Sequence, residues 1–453
     1  MNAESRNLAL LTDLYELTMS AAYFRSGMFE PATFSLFIRK YPKDRGYFVS
    51  AGLEDVLSFL ESFHFAGEDL NYLESTGLFS TDLLHYLSGL RFSGSVHAIP
   101  EGRLFFKDEP VIEVTAPIIE AQIVETFIIN AINLQVSIAT KASRCFHAAA
   151  GRKLVDFSLR RTHGPDAGMR VARASYIAGF EGTSNVLAGK VYGIPISGTM
   201  AHSFVTSFEE EIDAFRAFAE AFPEKTVLLI DTYDTVVGAR KALTVAEEMR
   251  KRGNRLVGVR LDSGDMVKLS KEVRSILDEA GFSDVSIFAS GAFDEHKIAD
   301  YMERGAMINA FGVGTKMGVS ADAPYLDCAY KLVQYDGRPV LKLSSGKKTL
   351  VSEKQVFRQK DNNRLAGDTI ALRDERLEGT PLLNCVMKNG ERLHPPESLH
   401  TIRDRFREEF GMLDNAFKRL KNPEAFPVEV SGALEDLQKR SVQRVKEKEL
   451  GES

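Results

Sequence analysis

Six apolar, β-type runs of the chain each end on residues that can do chemistry. The runs lie at residues 153–158, 192–197, 226–230, 256–261, 285–289 and 307–311. The residues at or after their ends carry charge, a hydroxyl group or no side chain, and they are Arg160, Arg161, His163, Asp166, Thr199, His202, Ser203, Asp231, Thr232, Asp234, Arg260, Asp262, Ser263, Asp265, Ser290, Gly291, Gly312, Gly314, Thr315 and Lys316. Functional residues of parallel α/β proteins lie at the carboxyl ends of strands, so this clustering predicts one composite site.

The last two of these loops are rich in glycine and small hydroxyl groups. Ser290 and Gly291 follow one run, and Gly312, Gly314 and Thr315 follow the next. Backbone N–H groups in such loops bind phosphate, and the loops after the final strands are the usual phosphate site of an α/β barrel. The alternative is that the glycines only form tight turns. No G-x-x-x-x-G-K-[ST] motif occurs, so any use of ATP is not of the Walker type.

The most reactive side chains lie in three other loops. Asp262 and Asp265 flank a Ser-Gly pair, and they can hold Mg²⁺ through water, bind ribose hydroxyls, or serve as a solvated helix cap. Arg260 ends an apolar run, where a guanidinium needs an anionic partner and can bind a carboxylate through two hydrogen bonds. His202 and His163 are each either a structural hydrogen-bonding residue or a catalytic group.

Amphipathic helical stretches alternate with the apolar runs. They include residues 208–222, 235–252, 265–280 and 294–303. Such alternation indicates βαβ units and a parallel sheet, as a barrel or as a doubly wound sheet. Ser207 with Glu210 predicts a capping box at the start of one helix. Before this region the chain is mostly helical to residue 90, forms an antiparallel strand cluster at 91–116 and then a long helix, and after about 325 hairpins and helices follow.

The composition of the whole chain excludes several classes of function. The 453 residues carry a net charge of −6, which provides no electrostatic reason to expect nucleic acid or an anionic membrane as a partner. The most apolar stretch, residues 117–140, contains Glu120 and Glu125 and is not expected to span a membrane. Three cysteines without paired spacing argue against a disulfide framework and a cysteine-type zinc site. We see no secretory signal and expect a cytoplasmic protein.

Several motifs, in the same order, resemble those of the nicotinate phosphoribosyltransferase family. They are LLTDLYELTM (10–19), RRTHGPDAG (160–168), GFEGTSNVLAG (179–189), GTMAHSFVTSFEE (198–210), VRLDSGD (259–265) and GVGT (312–315). The resemblance covers roughly residues 10–335, and RLHPPESLHTIRDRF near the C-terminus is similar to the end of the family's chains.

The resemblance implies both an activity and a fold. The activity is transfer of 5-phosphoribosyl from 5-phosphoribosyl 1-diphosphate to nicotinate, giving nicotinate mononucleotide and diphosphate in NAD salvage. It is coupled to ATP hydrolysis through a phosphorylated histidine, which matches His202, and Mg²⁺ is the expected metal ion. The fold is an irregular (β/α) barrel of the type II phosphoribosyltransferase kind, here residues 121–325. A flanking α+β domain combines residues 1–120 with 326–453, which end in a charged tail. Homodimers with active sites at the interface are expected.

The family's site residues can be placed on this sequence. Its nicotinate contacts match Tyr15, Thr199 and Arg260, and its phosphoribosyl-phosphate contact matches Thr315. The reaction builds positive charge on the ribose and negative charge on the leaving diphosphate, so the site needs carboxylates as well as cationic or N–H groups. The expected catalytic residues are His202 and Asp262, with Asp262 and Asp265 at the metal, and the expected substrate-binding residues are Tyr15, Arg160, Arg161, His163, Ser184, Thr199, Arg260, Ser290, Gly291, Gly312, Gly314 and Thr315.

Three other functions compete with this interpretation. Ser184 lies where the related nicotinamide-using enzyme carries an acid. An acid there would repel the carboxylate of nicotinate, whereas a neutral serine would not. The quinolinate enzyme needs more cationic groups and has a much shorter chain. A non-catalytic metabolite-binding barrel is the third alternative, and the presence of His202 and the aspartate pair argues against it.

Overall fold

A computed structural model describes residues 7–343 and 349–451. Two compact units make up the chain: unit 1 is Met1–Ser137 with Tyr325–Ser453, and unit 2 is Ile138–Pro324. The units divide after residues 137 and 324, whereas the resemblance led us to expect domain boundaries after residues 120 and 325.

Unit 1 begins with a mixed segment and unit 2 alternates strands with helices. The first segment contains α1 (Leu14–Arg25), β1 (Pro31–Ile38), β2 (Phe48–Val49), α2 (Leu53–Ser62), α3 (Gly67–Ser75), α4 (Thr81–Gly89), β3 (Ser95–Ala98), β4 (Leu104–Phe105), β5 (Ile112–Pro117), α5 (Ile118–Ile123) and α6 (Glu125–Ala148), which crosses into unit 2. Unit 2 continues with β6 (Lys153–Asp156), a 3₁₀ turn (Leu159–Arg161), α7 (Pro165–Ile177), β7 (Gly182–Thr183), α8 (Val186–Tyr192), α9 (His202–Thr206), α10 (Glu211–Ala221), β8 (Val227–Leu229), α11 (Thr235–Lys251), β9 (Gly258–Leu261), α12 (Met266–Glu279), β10 (Ser286–Ser290), α13 (Glu295–Glu303), β11 (Ala310–Val313) and α14 (Thr315–Gly318).

The C-terminal segment returns to unit 1. It contains β12 (Cys328–Tyr335), β13 (Arg338–Pro339), β14 (Lys354–Asp361), β15 (Arg364–Leu372), β16 (Thr380–Pro381), β17 (Asn384–Lys388), β18 (Glu391–Arg392), α15 (Leu399–Met412), α16 (Asn415–Lys418), β19 (Val428–Val430), α17 (Gly432–Val445) and a π-helical turn (Lys446–Leu450).

Both segments of unit 1 contribute strands to one large sheet. Its order is β13-β12-β1-β5-β3-β17-β18, and β1 lies antiparallel to both β12 and β5. A second sheet has the order β16-β14-β15-β19. Phe34, Leu36 and Val114 of the large sheet are buried in the core of this unit. The α+β unit therefore needs both ends of the chain, as expected from the sequence.

Helices α5 and α6 form the most apolar stretch. Within the described residues, Ile118–Ala148 is the single stretch long and apolar enough to cross a membrane by length and composition. However, 67% of its most apolar window is buried inside the protein. Such burial is typical of the core helix of a globular protein, in which a helix that is apolar all round is covered by its neighbours.

The sheet of unit 2 is a barrel with one irregular seam. Its order is β7-β6-β11-β10-β9-β8, and the recorded pairings are parallel. The last strand, β11, pairs with the first, β6, which is the closure of a barrel and not the order of a doubly wound sheet. A bridge between Thr183 and Ile196 extends the sheet past β7, and in the described part of the chain no recorded pairing joins that segment to β8. The predicted irregular barrel is confirmed.

Two local predictions are wrong. The run at 192–197 is not a full strand, because α8 ends at Tyr192, Gly193 adopts a left-handed conformation, and Pro195 cannot donate to a strand ladder. The proposed capping box is absent at α10, which begins at Glu211 with Glu210 as its N-cap. The Ser207 hydroxyl instead donates to the Phe204 carbonyl at the end of α9, at 2.7 Å.

Candidate active site

Strands β8, β9 and β10 are each followed by a loop that ends on a helix-capping aspartate. An Oδ1 atom of Asp234, Asp265 and Asp294 accepts from the backbone N–H three residues later, at 2.8, 3.2 and 2.8 Å. These bonds satisfy N–H groups that have no partner inside the helix. Asp265 therefore caps its helix through Oδ1, whereas Asp231 and Asp262, which begin two of the loops, lie before the capping positions.

Asp262 is held in place from two neighbouring strands. Its backbone N–H donates to Asp231 Oδ2 at 2.9 Å, and the Ser263 hydroxyl donates to the same oxygen at 2.6 Å. The Ser290 hydroxyl donates to Asp262 Oδ1. Gly291 has φ +119°, and a Cβ atom there would lie 2.4 Å from the Asp262 carbonyl oxygen, so the close approach of the two loops requires glycine.

His202 faces this carboxylate. It is the first residue of α9, and its side chain is 43% exposed. Its Nε2 atom lies 4.0 Å from Asp262 Oδ2, and its Nδ1 atom lies 3.1 Å from the Thr232 hydroxyl oxygen. The imidazole is thus both oriented by neighbours and reachable by a ligand, which are the two requirements for a nucleophilic group.

Arg260 forms an anion-binding corner with Thr199. Its Nη1 atom donates to the Thr199 hydroxyl at 2.6 Å, and its buried Nε has no hydrogen-bond partner in the described part of the chain. Burial lowers the pKa of the Arg260 guanidinium, the charges of Asp262 and Asp231 raise it, and the charge of Arg160 lowers it. A buried guanidinium with an unused donor, which also feels the charge of a second guanidinium, suits a ligand carboxylate.

An apolar groove begins at this corner. It has a volume of about 350 Å³. Its lining residues are Thr199, Met200, Phe204, Phe208, Ala217, Phe218, Ala221 and Phe222. An apolar cavity with a few polar groups at one end is the usual form of a small-molecule site.

The two glycine-rich loops are neighbours in the barrel. Ser290 and Gly312 are register partners across β10 and β11. A Cβ atom at Gly312 would lie 2.6 Å from the Phe157 ring, so glycine is required for packing there. Gly314 is the N-cap of α14 and Thr315 its first residue, with an exposed side chain. The structure therefore brings these loops together at one end of the barrel, next to Asp262.

Ser184 lies at the next strand end. Its N–H donates to the Asp156 carbonyl at 2.8 Å. The buried Asp156 carboxylate accepts from the Ser158 and Thr183 hydroxyls, and burial raises its pKa. Ser184 is therefore presented on a turn fixed from β6. Arg161 and His163 are exposed on the segment between β6 and α7.

Tyr15 belongs to unit 1, on α1. Its ring is 46% exposed, and its hydroxyl donates to the Glu125 carboxylate. Burial, followed by the charge of Glu125, raises the pKa of Tyr15, so the phenol stays neutral. Burial also raises the pKa of the adjacent Glu16 to about 7. The ring of Tyr15 is thus held at its hydroxyl end and leaves apolar surface in solvent.

Sequence reasoning did not predict the roles of three supporting residues of unit 2. Asp231 anchors the Asp262 loop, Thr232 contacts His202, and Asp156 organises the turn that carries Ser184. The first two were recognisable as polar strand-end residues, but their partners lie on other strands. Asp156 gives no such signal, because it lies within an apolar run and one of its partners, Thr183, is 27 residues away along the chain.

The fold is found in solved structures of known enzymes. The crystal structure of human nicotinic acid phosphoribosyltransferase superposes with a TM-score of 0.85 at 29% identity, covering 95% of this chain and 99% of that one. A nicotinate-nucleotide pyrophosphorylase from Pyrococcus furiosus gives a TM-score of 0.76 at 26% identity, covering 91% and 97%. Fold and site together define a barrel enzyme of the type II phosphoribosyltransferase class.

Sequence comparison narrows this class to one family. Models of the nicotinate phosphoribosyltransferase N-terminal domain, family and C-terminal domain match residues 10–133, 152–366 and 376–438. A nicotinate phosphoribosyltransferase of Mycobacterium tuberculosis is 49% identical over 94% of this chain and 92% of its own. One from Bacillus subtilis is 39% identical over 97% and 96%. The chain belongs to the nicotinate phosphoribosyltransferase family.

Proposed function

We propose that this protein transfers 5-phosphoribosyl from 5-phosphoribosyl 1-diphosphate to nicotinate, coupled to ATP hydrolysis, in NAD salvage. The observation that carries the proposal is the Arg260–Thr199 corner beside the His202–Asp262 pair. Arg260 binds the nicotinate carboxylate there, while the ribose and phosphates extend toward Asp262 and the loops at Gly291, Gly312 and Gly314. Asp262 lies where positive charge develops on the ribose ring and stabilises it.

The site also suits a magnesium ion. The Asp231 Oδ1 atom is buried and has no hydrogen-bond partner in the described part of the chain, and the Asp262 carboxylate is partly exposed. Mg²⁺ is bound by one or two carboxylates together with substrate phosphates. Asp262 and Asp231 are the residues that would hold it, because Asp265 Oδ1 is used by its helix cap. Bound Mg²⁺ would neutralise charge on the leaving diphosphate.

The runner-up is transfer to nicotinamide. Ser184 is half-buried and neutral, and a serine does not repel a carboxylate. A site for the amide would be expected to place an acidic group there, which accepts from the NH₂ group and carries a negative charge. The neutral side chain and the cationic Arg260 together favour nicotinate.

A turnover assay separates these activities. The purified protein is incubated with 5-phosphoribosyl 1-diphosphate, Mg²⁺ and nicotinate, nicotinamide or quinolinate, each with and without ATP. We expect mononucleotide formation with nicotinate, stimulated by ATP. Preferred use of nicotinamide would establish the runner-up, and no turnover with any base would support a non-catalytic barrel.

We further propose a cytoplasmic homodimer in which the partner subunit's Tyr15 stacks on the pyridine ring. The exposed ring of Tyr15, with its hydroxyl held by Glu125, supports this assignment. Tyr15→Ala should weaken nicotinate binding by about 0.5–1.5 kcal/mol beyond the lost buried area, the range for aromatic pairs. The nicotinate KM of the variant measures this effect.

Subunit mixing locates the contribution of Tyr15. Tyr15→Ala and His202→Ala chains, each weak alone, should regain partial activity as mixed dimers. Tyr72→Ala is the matched control, because Tyr72 is also an exposed tyrosine of unit 1, at 61%. If verified subunit exchange restores nothing, Tyr15 serves the site of its own subunit.

A further inference from the structure

Thr183 is a fully buried threonine next to Ser184, and its hydroxyl forms hydrogen bonds in two directions. It donates to Asp156 Oδ2 at 2.8 Å, and it accepts from the Asn185 N–H at 3.0 Å. The side chain of Thr183 is 0% exposed and that of Asp156 is 1% exposed. Because water does not reach these groups, losing either bond would leave a buried polar atom unpaired. The hydroxyl therefore fixes both chain neighbours of Ser184 to the barrel wall.

The Asp156 carboxylate is the anchor for this hydroxyl. Its Oδ1 atom accepts from the N–H and the hydroxyl of Ser158 at 2.9 and 2.5 Å, which leaves Oδ2 for Thr183. The carbonyl oxygen of Asp156 accepts from the Ser184 N–H at 2.8 Å. One residue of β6 thus holds Thr183 through its side chain and Ser184 through its backbone.

Ser184 presents its side chain on the other side of this turn. Thr183 and Asn185 are buried, whereas Ser184 is half-buried, as expected because successive side chains of an extended segment alternate in direction. Among the described residues, no hydrogen bond of the Ser184 hydroxyl is recorded. The turn also lies beside the anion-binding corner, because the Ser197 N–H, two residues before Thr199, donates to the Thr183 carbonyl at 2.9 Å.

We propose that Thr183 is the positioning residue that holds the Ser184 hydroxyl against the carboxylate of the bound base. Ser184 donates to one carboxylate oxygen, and Arg260 binds the carboxylate through its guanidinium. This inference deepens the proposed function and rests on it, because it takes the base to be nicotinate. A hydrogen bond to a charged carboxylate is stronger than one to a neutral amide, so a well-placed Ser184 favours nicotinate over nicotinamide. Thr183 itself does not contact substrate, since its hydroxyl is buried.

Three variants change the hydroxyl or its anchor. Thr183→Val removes the hydroxyl with little change in shape, so the Asn185 N–H and Asp156 Oδ2 lose their partner, and Thr183→Ser keeps the hydroxyl. Asp156→Asn reaches the same bond from the other side. Its side-chain oxygen still accepts from Ser158, and the NH₂ group that replaces Oδ2 cannot accept from Thr183. The backbone hydrogen bonds of the turn remain in all three variants.

Ser270→Ala is the matched control. Ser270 is also a fully buried hydroxyl residue of unit 2. Its hydroxyl donates to the Val267 carbonyl at 3.2 Å and accepts from the Met307 N–H at 3.0 Å. Met307 precedes β11, at the amino end of the strand, whereas the site residues follow the carboxyl ends.

Steady-state kinetics give the first measurement. The nicotinate KM of Thr183→Val and of Asp156→Asn should rise about three- to tenfold, the effect of losing one hydrogen bond. The KM for 5-phosphoribosyl 1-diphosphate and kcat should stay close to their wild-type values, whereas a merely structural role would change them as well. Thr183→Ser and Ser270→Ala should behave like the wild type. A KM does not depend on the fraction of active protein, so partial unfolding of a variant would not imitate this result.

A double-mutant cycle tests whether Thr183 acts through Ser184. Ser184→Ala alone should raise the nicotinate KM by a similar factor. Adding Thr183→Val to Ser184→Ala should then cause no further increase, because the hydroxyl that Thr183 positions is already absent. Effects of the two substitutions that multiply would overturn the positioning role.

Equilibrium dialysis with labelled nicotinate separates this inference from the proposed function, because it measures binding of the base without turnover. Wild-type nicotinate KM and affinity in both Thr183→Val and Asp156→Asn would overturn the inference and leave the proposed function intact. Absence of nicotinate turnover by the wild type would overturn the proposed function. Weaker dialysis binding in Thr183→Val than in Thr183→Ser would still support the role of Thr183, and no binding of nicotinate to the wild type would overturn it.

Discussion

Replacing His202 by alanine is expected to abolish ATP hydrolysis that is coupled to nicotinate turnover. The imidazole is exposed to ligands and oriented at both nitrogens, and alanine offers no atom to accept the phosphoryl group. Incubation with γ-labelled ATP should give an acid-labile label in the wild type and none in the variant. Slow transfer without ATP should persist, because Arg260, Asp262 and the glycine-rich loops remain.

The chain contains a matched control for this experiment. His296 is 40% exposed, and its Nε2 atom lies 3.9 Å from a carboxylate oxygen of Glu295, so its setting is close to that of His202. It belongs to unit 2, and in the described part of the chain no recorded hydrogen bond or ion pair joins it to a proposed site residue. His296→Ala should label and turn over like the wild type. An equal label in His202→Ala would place the phosphoryl acceptor on another residue.

Replacing Arg260 by alanine should cause the largest decrease in kcat/KM for nicotinate. The nicotinate carboxylate would lose its cationic partner, and losing one half of a buried charge pair costs about 2–5 kcal/mol. This corresponds to a decrease in kcat/KM of about 30- to 5,000-fold. Steady-state kinetics with varied nicotinate measure the decrease, and unchanged kinetics would place the base pocket elsewhere.

Two further variants separate charge from geometry at this corner. Arg260→Lys keeps a cation but loses the planar pair of donors, so it should recover only part of the lost activity. Thr199→Val removes the hydroxyl that accepts from Arg260 Nη1 while keeping the guanidinium. We expect a smaller loss for Thr199→Val, on the order of the 0.5–1.5 kcal/mol net contribution of one hydrogen bond.

Much of this architecture could be predicted from the sequence because its causes are local. Apolar runs alternating with amphipathic stretches define βα units wherever they occur, since burial on both faces of a parallel strand requires a continuous apolar run. The helices that follow β8, β9 and β10 begin at aspartates that the sequence shows in a capping position. Strand-end residues such as Arg260 and Asp262 were recognisable for the same reason, and His202 was recognised although the run before it does not form a full strand.

The two local predictions were wrong because the residues concerned take part in a different local structure from the one that their spacing or composition indicated. Ser207 and Glu210 have the spacing of a capping box, but the Ser207 hydroxyl bonds to the preceding helix. The run at 192–197 is apolar enough for a strand, but α8 extends into it. The spacing of residues in the sequence shows which local hydrogen bonds can form, and tertiary packing determines which of them do form.

The sequence by itself determined the alternating βα units, the polar strand ends and the family motifs, all of which are properties of short segments. Only the tertiary structure decided that β11 closes on β6, that Asp231 anchors the Asp262 loop, and that Thr232 lies against His202. The physical reason is distance along the chain: His202 and Thr232 are 30 residues apart. Their contact exists only because parallel strands bring successive loops to the same end of the barrel.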